Sequence, residues 1–99
     1  MTVYVDDARI PAKVGRHESR WSHLTADTKT ELHEFAVQLG LKLSYFQTCK
    51  VNRNRCPPET CPHWHYDVTD SKRAQAIRLG AVEIEARQWA DIITARRSS

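Results

Sequence analysis

The chain has 99 residues, of which 40% are hydrophobic and 27% are charged, and its net charge is +3. This length and composition predict one domain over residues 1–99 and exclude a membrane-spanning protein, because no apolar run approaches the roughly 20 residues that a bilayer requires. Asp6 and Asp7 lie where a signal peptide would have its apolar core, which argues against secretion, and the small positive charge permits nucleic acid as a partner without requiring it.

The first elements in chain order are two short strands separated by a basic segment. β-Branched and aromatic residues predict a strand over Thr2–Asp6 and another over Trp21–Ala26. Residues 8–20 carry four Lys or Arg side chains against one acid and are interrupted by Pro11 and Gly15, which predicts a basic loop.

A helix is predicted from Thr28 to Gly40. Thr28 and Glu31 have the spacing of a capping box, in which the two side chains satisfy backbone N–H groups at the start of a helix. An apolar stripe follows, and Gly40 supplies the left-handed residue that ends a helix; the stripe comprises Leu32, Phe35, Ala36 and Leu39. Residues 41–46 are predicted to form a third strand.

The second half of the chain begins with a polar insertion at residues 48–63, which contains all three cysteines. A strand is predicted over residues 65–69, and a helix capped by Thr69 or Asp70 follows it and ends at Gly80. Alternating residues predict a strand over 82–86. Residues 87–99 are predicted to be an amphipathic C-terminal helix and tail.

The two halves of the chain echo each other at an offset of forty residues. His23 aligns with His63, Asp27 aligns with Asp67, and Leu-Gly ends both predicted helices. An alternation of strands and helices is typical of α/β proteins. We therefore expect a small α/β domain with a largely parallel sheet of about four to five short strands, two to three helices and a Cys/His-rich loop.

Several motifs in this order resemble a family of small proteins of bacteria and their phages, described as a domain of unknown function. The motifs are Tyr4–Asp7, Trp21–Thr28, Glu31–His33, Leu39–Leu41, Phe46–Gln47, His65–Thr69, Ser71–Arg73 and Leu79–Ala81. The resemblance covers about residues 2–85 and implies no activity or ligand. The stretch between Gln47 and His65 is longer and richer in cysteine than the connection typical of the family, so the resemblance supports no metal there.

The cysteine cluster suggests a structural zinc site. Zinc prefers four tetrahedral thiolate or imidazole ligands, and five such side chains lie within seventeen residues, namely Cys49, Cys56, Cys61, His63 and His65. The predicted ligands are the three cysteines and His63, with His65 as the alternative. The spacing lacks the Cys-x2-Cys pair of zinc ribbons, so reduced cysteines scattered in a tolerant loop are the competing interpretation.

A second group of polar residues lies at the predicted strand ends. In open parallel sheets, ligands bind beyond the carboxyl ends of the strands, so these side chains are expected to converge there and hold a second divalent metal ion or activate water. The candidate catalytic residues are Asp6, Asp7, His23, His65 and Asp67. The alternative is structural, because Asp27 and Thr28 are suited to helix capping and His23 to an interior hydrogen bond.

Basic and hydroxyl side chains form a candidate phosphate-binding set, which comprises Arg9, Arg16, Thr28, Ser71, Lys72 and Arg73. Ordinary solvated charge is the competing interpretation, because acidic residues nearly balance the basic ones. The sequence contains no Walker loop, no serine nucleophile elbow and only three glycines, which excludes a glycine-rich phosphate loop.

Three hypotheses follow. The first is a zinc-binding module that engages nucleic acid, a nucleotide or another phosphate-containing ligand. The second is a metal-dependent phosphoesterase or nucleotide-processing enzyme that uses the strand-end Asp and His residues. The third is a protein-interaction or regulatory module of phage or bacterial origin. The cysteines favour a reducing compartment, so we expect a cytoplasmic protein without membrane partners, and the oligomeric state is left open.

Overall fold

The fold places a five-stranded mixed sheet between helices. The computed structural model describes residues 2–48 and 60–97. In chain order the elements are β1 (Val3–Val5), β2 (Ile10–Val14), β3 (His17–Ala26), α1 (Lys29–Leu39), a 3-10 helix (Leu43–Tyr45), β4 (Tyr66–Thr69), α2 (Asp70–Arg78), β5 (Val82–Glu83) and α3 (Ala86–Arg97). The predicted small α/β domain with three helices is confirmed, and most of the insertion at residues 48–63 lies outside the described residues.

Strand β3 organises the sheet. It pairs with β1 and β2 along one side and with β4 along the other, in each case antiparallel, and β5 pairs in parallel with β1. The prediction of a largely parallel sheet is therefore wrong. Within the described residues, only the short β1–β5 pair has parallel strands.

The error has its origin in residues 8–20, which were predicted to be a loop. They form β2, a tight turn at Gly15 and the first part of β3. The side chains of Ile10 to Lys13 are all exposed, so this strand lacks the alternation of buried and exposed residues that identifies a strand in a sequence. A hairpin therefore precedes α1, and the expected alternation of strands and helices does not hold there.

One face of the sheet forms the hydrophobic core with α1 and α2. The fully buried side chains include Val5, Leu24 and Tyr66 from the sheet and Leu32 and Ala36 from α1. Both predicted helix starts are confirmed. Thr28 Oγ1 accepts a hydrogen bond from the Glu31 N–H at 3.1 Å, and Thr69 Oγ1 accepts one from Lys72 N–H at 3.3 Å.

The segment 41–46 does not form the predicted strand. Leu43 and Tyr45 are more than half exposed, and they belong to a 3-10 helix. Leu41 and Phe46 pack against the core from either side of this turn. The apolar side chains thus alternate without facing a sheet, which is why the pattern misleads. The predicted strand at 82–86 is likewise shortened to Val82–Glu83.

Helix α3 covers part of the opposite face of the sheet. The Arg96 guanidinium lies 3.4 Å from the centre of the Trp64 ring and donates hydrogen bonds to Thr25 Oγ1, Ala26 O and the carbonyls of Pro62 and Trp64. Burial lowers the pKa of Arg96 to about 10, so the side chain stays charged at neutral pH. None of the helices in the described parts of the chain is long and apolar enough to cross a membrane.

Candidate metal centre

The candidate metal centre is built around Asp6, at the point where the chain leaves β1 and its regular pairing with β3 is interrupted. The Asp6 N–H donates to His23 O at 3.0 Å, while Asp6 Oδ1 accepts hydrogen bonds from the N–H groups of His23 at 2.8 Å and Ala8 at 3.2 Å. The Asp6 carboxylate thus takes the place of a backbone carbonyl in the ladder with β3. Interruptions of this kind occur next to functional sites because they redirect side chains.

The same carboxylate fixes the ring of His23. Asp6 Oδ2 lies 2.7 Å from His23 Nδ1, and the Asp6 side chain has no solvent exposure. Burial alone would raise the pKa of Asp6, but hydrogen bonds from the ring and backbone of His23 and from Ala8 outweigh it and lower that pKa. Asp6 is therefore an anion at neutral pH. Because Asp6 holds Nδ1, Nε2 is the ring nitrogen of His23 that can serve as a ligand.

Strand β4 brings His65 and Asp67 to His23. Asp67 lies directly opposite His23 in the antiparallel register. Directly opposed side chains of an antiparallel pair lie on the same face of the sheet. His65 precedes Asp67 by two residues and so projects to that face as well. His65 Nε2 lies 3.2 Å from Asp67 Oδ1.

Backbone and side-chain groups orient these two residues. His65 Nδ1 lies 2.6 Å from the carbonyl oxygen of His63. A carbonyl can only accept a hydrogen bond, so Nδ1 carries the proton. Gln47 Nε2 donates to Asp67 Oδ2 at 2.9 Å, and the backbones of Gln47 and His65 exchange a pair of hydrogen bonds.

One ligand atom from each of His23, His65 and Asp67 falls within 4.8 Å of the other two. Burial would raise the pKa of Asp67, but the hydrogen bond and charge of His65, with the Gln47 hydrogen bond, lower it. Two imidazoles and one carboxylate, all partly buried, form a donor set suited to a divalent transition metal.

Trp89 from α3 forms one wall of the centre. Its ring stacks on His23 with centroids 5.6 Å apart and planes inclined by 19°, and it meets His65 edge to face at 5.7 Å. Trp89 is 9% exposed. Neither Trp89 nor Gln47 was among the predicted site residues. The sequence signals were the helical spacing of Trp89, which is equally typical of a buried stripe, and the place of Gln47 in the Phe46–Gln47 motif.

Four of the five predicted catalytic residues meet in this centre, namely Asp6, His23, His65 and Asp67. They meet through an antiparallel register rather than at the carboxyl ends of parallel strands. Asp7 lies elsewhere: it is exposed, and its Oδ1 accepts a hydrogen bond from the Ala86 N–H at 2.9 Å, at the start of α3.

The predicted phosphate-binding residues are engaged in contacts within the protein. Thr28 caps α1. Lys72 Nζ donates to Leu39 O at 2.7 Å, at the C-terminal end of the same helix. Arg73 Nε donates to the Asp6 carbonyl at 2.8 Å, which supports the break beside the metal centre. These contacts account for the three side chains without a ligand.

The other three members of that set lie on the surface. Arg9 forms a bidentate pair with Asp70, at 2.7 and 3.0 Å. Ser71 and Arg16 are exposed. The six residues do not gather in one pocket, and their role toward phosphate stays a prediction.

Only part of the predicted zinc cluster lies in the described residues, because Cys49 and Cys56 fall outside them. Cys61 is buried, and its Sγ lies 3.5 Å from His63 Nδ1 and accepts a hydrogen bond from the His63 N–H at 3.4 Å. The structure therefore brings together two of the four predicted zinc ligands, on the segment that leads directly into His65.

Comparison with known proteins identifies the family. The chain belongs to the family described as protein of unknown function (DUF4031), whose model matches residues 3–96. This membership confirms the predicted resemblance to a family of unknown function and brings no activity with it. Searches of curated proteins and of solved structures found no match.

Proposed function

We propose that the domain binds one divalent transition-metal ion between His23, His65 and Asp67 and uses it to hydrolyse phosphate esters. The observation that carries the proposal is the convergence of these three side chains within 4.8 Å. Each lies on an ordered strand or at its end, so the donor set is built by the sheet and not by the exposed ends of long side chains.

The hydrogen bonds behind the ligands support the same assignment. Metal-binding histidines almost always donate their other ring N–H to a carboxylate or a backbone carbonyl, which fixes the tautomer and the ring orientation. His23 has a carboxylate partner in Asp6, and His65 has a carbonyl partner in His63. Two histidines without a metal-binding role would not require both of these hydrogen bonds.

The number of protein ligands favours chemistry over a purely structural role. A metal ion held by His23, His65 and Asp67 would have a coordination position open for water, and an ion such as zinc lowers the pKa of a bound water to about 7. Hydrolysis would form one P–O bond from that water, break the P–O bond to the leaving oxygen, and pass one proton of the water through solvent to the leaving oxygen.

Positive charge near the centre supports an anionic substrate. The pKa of Asp70 is lowered chiefly by its hydrogen bond to Arg9, with further contributions from the charges of Arg20 and Arg73. Arg9 is paired with Asp70 and Arg73 with Glu83, so Arg20 is the guanidinium of the three whose charge can attract an anionic phosphate ester.

The test combines metal binding and turnover. Calorimetric titration with Co²⁺ is carried out in the Cys61→Ser background, which removes the proposed cysteine site, and should reveal one metal site. The absorption spectrum of this Co²⁺ complex should lack a thiolate band, and the Co²⁺ or Mn²⁺ form should hydrolyse bis(p-nitrophenyl) phosphate. Asp67→Asn should weaken metal binding at least tenfold and abolish turnover, whereas the matched change Asp7→Asn should leave both unaltered. Wild-type affinity and turnover in Asp67→Asn would exclude the proposed site.

A structural zinc ion in the cysteine segment is a second, separate proposal. The contact between Cys61 Sγ and His63 Nδ1 at 3.5 Å supports it, with Cys49 and Cys56 as the expected remaining ligands. Cys61→Ser should remove one equivalent of zinc, detected by elemental analysis, without removing the Co²⁺ site at His65. The expectation of a cytoplasmic protein accompanies this proposal, since thiolate ligands persist in a reducing compartment.

A further inference from the structure

A two-stranded ribbon extends from the sheet beside the candidate metal centre. We call residues 10–20 the hairpin arm; it consists of β2, the turn at Gly15 and the first part of β3. Strand β4 pairs with β3 only from Trp21 to Leu24. Among the described residues, the arm therefore has no strand beside it beyond this point and stands out as a hairpin.

The hairpin arm carries an excess of positive charge. Lys13, Arg16 and Arg20 are exposed, and the only acidic side chain between residues 10 and 20 is Glu18, which lies opposite Lys13 in the register. An open concavity on the arm is lined by Pro11, Ala12, Lys13, Glu18, Ser19 and Arg20. A basic, open ribbon of this kind is complementary to a nucleic-acid backbone.

The hairpin arm is continuous with the metal centre. Strand β3 leads from Arg20 through Trp21 to His23, and alternate residues of a strand share a face, so Trp21 and His23 are about 7 Å apart on one face. Arg20 projects to the other face of the ribbon, as does Lys13, which lies opposite Glu18 in the register. Trp21 is partly exposed, and its indole N–H donates to Ala12 O at 3.0 Å, which ties the ring to the arm. An aromatic ring at this position offers a surface for base stacking.

We propose that the hairpin arm binds the backbone of a nucleic-acid strand beside the metal centre, with Lys13 and Arg20 contacting phosphates on the face of the ribbon opposite Trp21 and His23. If the bound nucleic acid is the substrate of the metal centre, the inference rests on the proposed function. It then narrows the proposed substrate class from phosphate esters in general to nucleic acid. As a binding surface, it rests on the charge and exposure of Lys13, Arg16 and Arg20 alone.

The experiment compares two variants that each lose three positive charges. In the arm variant, Lys13, Arg16 and Arg20 are replaced by glutamine; in the control variant, the exposed residues Lys29, Lys42 and Arg87 are replaced. Binding of a fluorescent single-stranded DNA 20-mer, a duplex 20-mer and a polyglutamate peptide is measured by anisotropy at several salt concentrations. Circular dichroism verifies that both variants are folded. If the triple arm variant does not fold, the single variant Arg16→Gln takes its place in the binding measurements.

We expect the arm variant to bind DNA at least tenfold more weakly than the control variant does. Each lost phosphate contact should reduce the slope of log affinity against log salt by about 0.7 for a single strand, or about 2 for three contacts. Equal DNA affinities of the two variants would overturn the inference. So would binding of polyglutamate as tight as that of DNA, because the surface would then fit an acidic protein.

A parallel Co²⁺ titration separates this inference from the proposed function. The arm variant should bind Co²⁺ as wild type does, since none of its substitutions touches His23, His65 or Asp67. Arm-dependent DNA binding without any Co²⁺ site would refute the proposed function and leave the arm as a nucleic-acid surface. A Co²⁺ site with turnover but no arm-dependent binding would refute the arm alone.

Discussion

Asp6 performs two tasks that usually fall to separate groups. One carboxylate oxygen satisfies two backbone N–H groups at the break between β1 and β2, and the other holds the His23 ring. Both tasks need an anion that accepts hydrogen bonds and donates none. An amide at this position would point an N–H₂ group at one of these donors.

We predict that Asp6→Asn weakens Co²⁺ binding about 10- to 100-fold, the range found when a group that orients a metal ligand is lost. Isothermal titration measures the effect. Asp27→Asn is the control, because Asp27 also accepts two hydrogen bonds, from Thr2 N–H and Tyr4 Oη, but lies outside the centre. Both variants should lose stability. Equal Co²⁺ affinities in the two variants would contradict a positioning role for Asp6.

The ion pair between Asp70 and Arg9 can be tested by titrating the protein with acid. The pKa of Asp70 is lowered chiefly by the hydrogen bond from Arg9, so the folded state binds this proton less readily than the unfolded chain. The stabilisation is complete above the unfolded pKa of about 3.9 and is lost as the pH falls through the folded pKa. Carboxyl NMR titration should place the Asp70 midpoint below that value, and Arg9→Gln should raise it. An unchanged midpoint in Arg9→Gln would contradict this assignment.

At the level of single residues, much of the candidate centre was predictable. Its polar residues lie in or next to apolar strands, where a polar side chain is stable only with a hydrogen-bond partner or a ligand. These residues are Asp6, His23, His65 and Asp67. Trp89 and Gln47 were not predictable, because each reaches the centre through the packing of a distant element. No local pattern distinguishes either from an ordinary buried aromatic residue or an ordinary polar one.

At the level of elements, the helices followed from local rules, and the sheet did not. The N-cap residues Thr28 and Thr69 and the left-handed residue Gly40 act within a few positions of the chain, so they can be identified directly. Strand pairing depends on distant partners. Residues 8–20 form strands because they pair with each other and because β3 continues into the core, and neither fact is visible in their own side chains.

The cap of α1 can be tested by Thr28→Ala. We expect a loss of about 1 kcal/mol in the free energy of unfolding, because the Glu31 N–H loses its partner. Urea denaturation measures it. Thr30→Ala, an exposed change inside the same helix, is the control and should be neutral or slightly stabilising. Co²⁺ affinity should not change in either variant, and a stability of Thr28→Ala equal to that of Thr30→Ala would refute the cap.

For the whole molecule, the candidate centre links the sheet to α3, since the ligands come from β3 and β4 and Trp89 covers them. A metal ion there should stabilise the fold as a unit. At one hundred times its dissociation constant, a ligand contributes about 2.7 kcal/mol, and for a domain of this size each kcal/mol raises Tm by about 4–8 °C.

We therefore predict that saturating Mn²⁺, which thiolates bind weakly, raises Tm by about 10–20 °C and that a chelator reverses the rise. Differential scanning fluorimetry measures both. His65→Ala should melt at the same temperature with and without Mn²⁺. A rise of equal size in His65→Ala would place the ion elsewhere in the molecule.

The paired hydrogen bonds between Gln47 and His65 have a consequence for how this chain can change. They fasten the chain together at these two residues, and the last part of the intervening segment is held as well, because Cys61 and Trp64 are buried and the His63 carbonyl holds the His65 ring. Closure entropy grows only with the logarithm of loop length, and doubling the length of a loop costs only about 0.6 kcal/mol. Residues can therefore be inserted between Gln47 and Cys61 while His65 and Asp67 keep their places, which makes this stretch a natural point for grafting a new recognition element onto the domain.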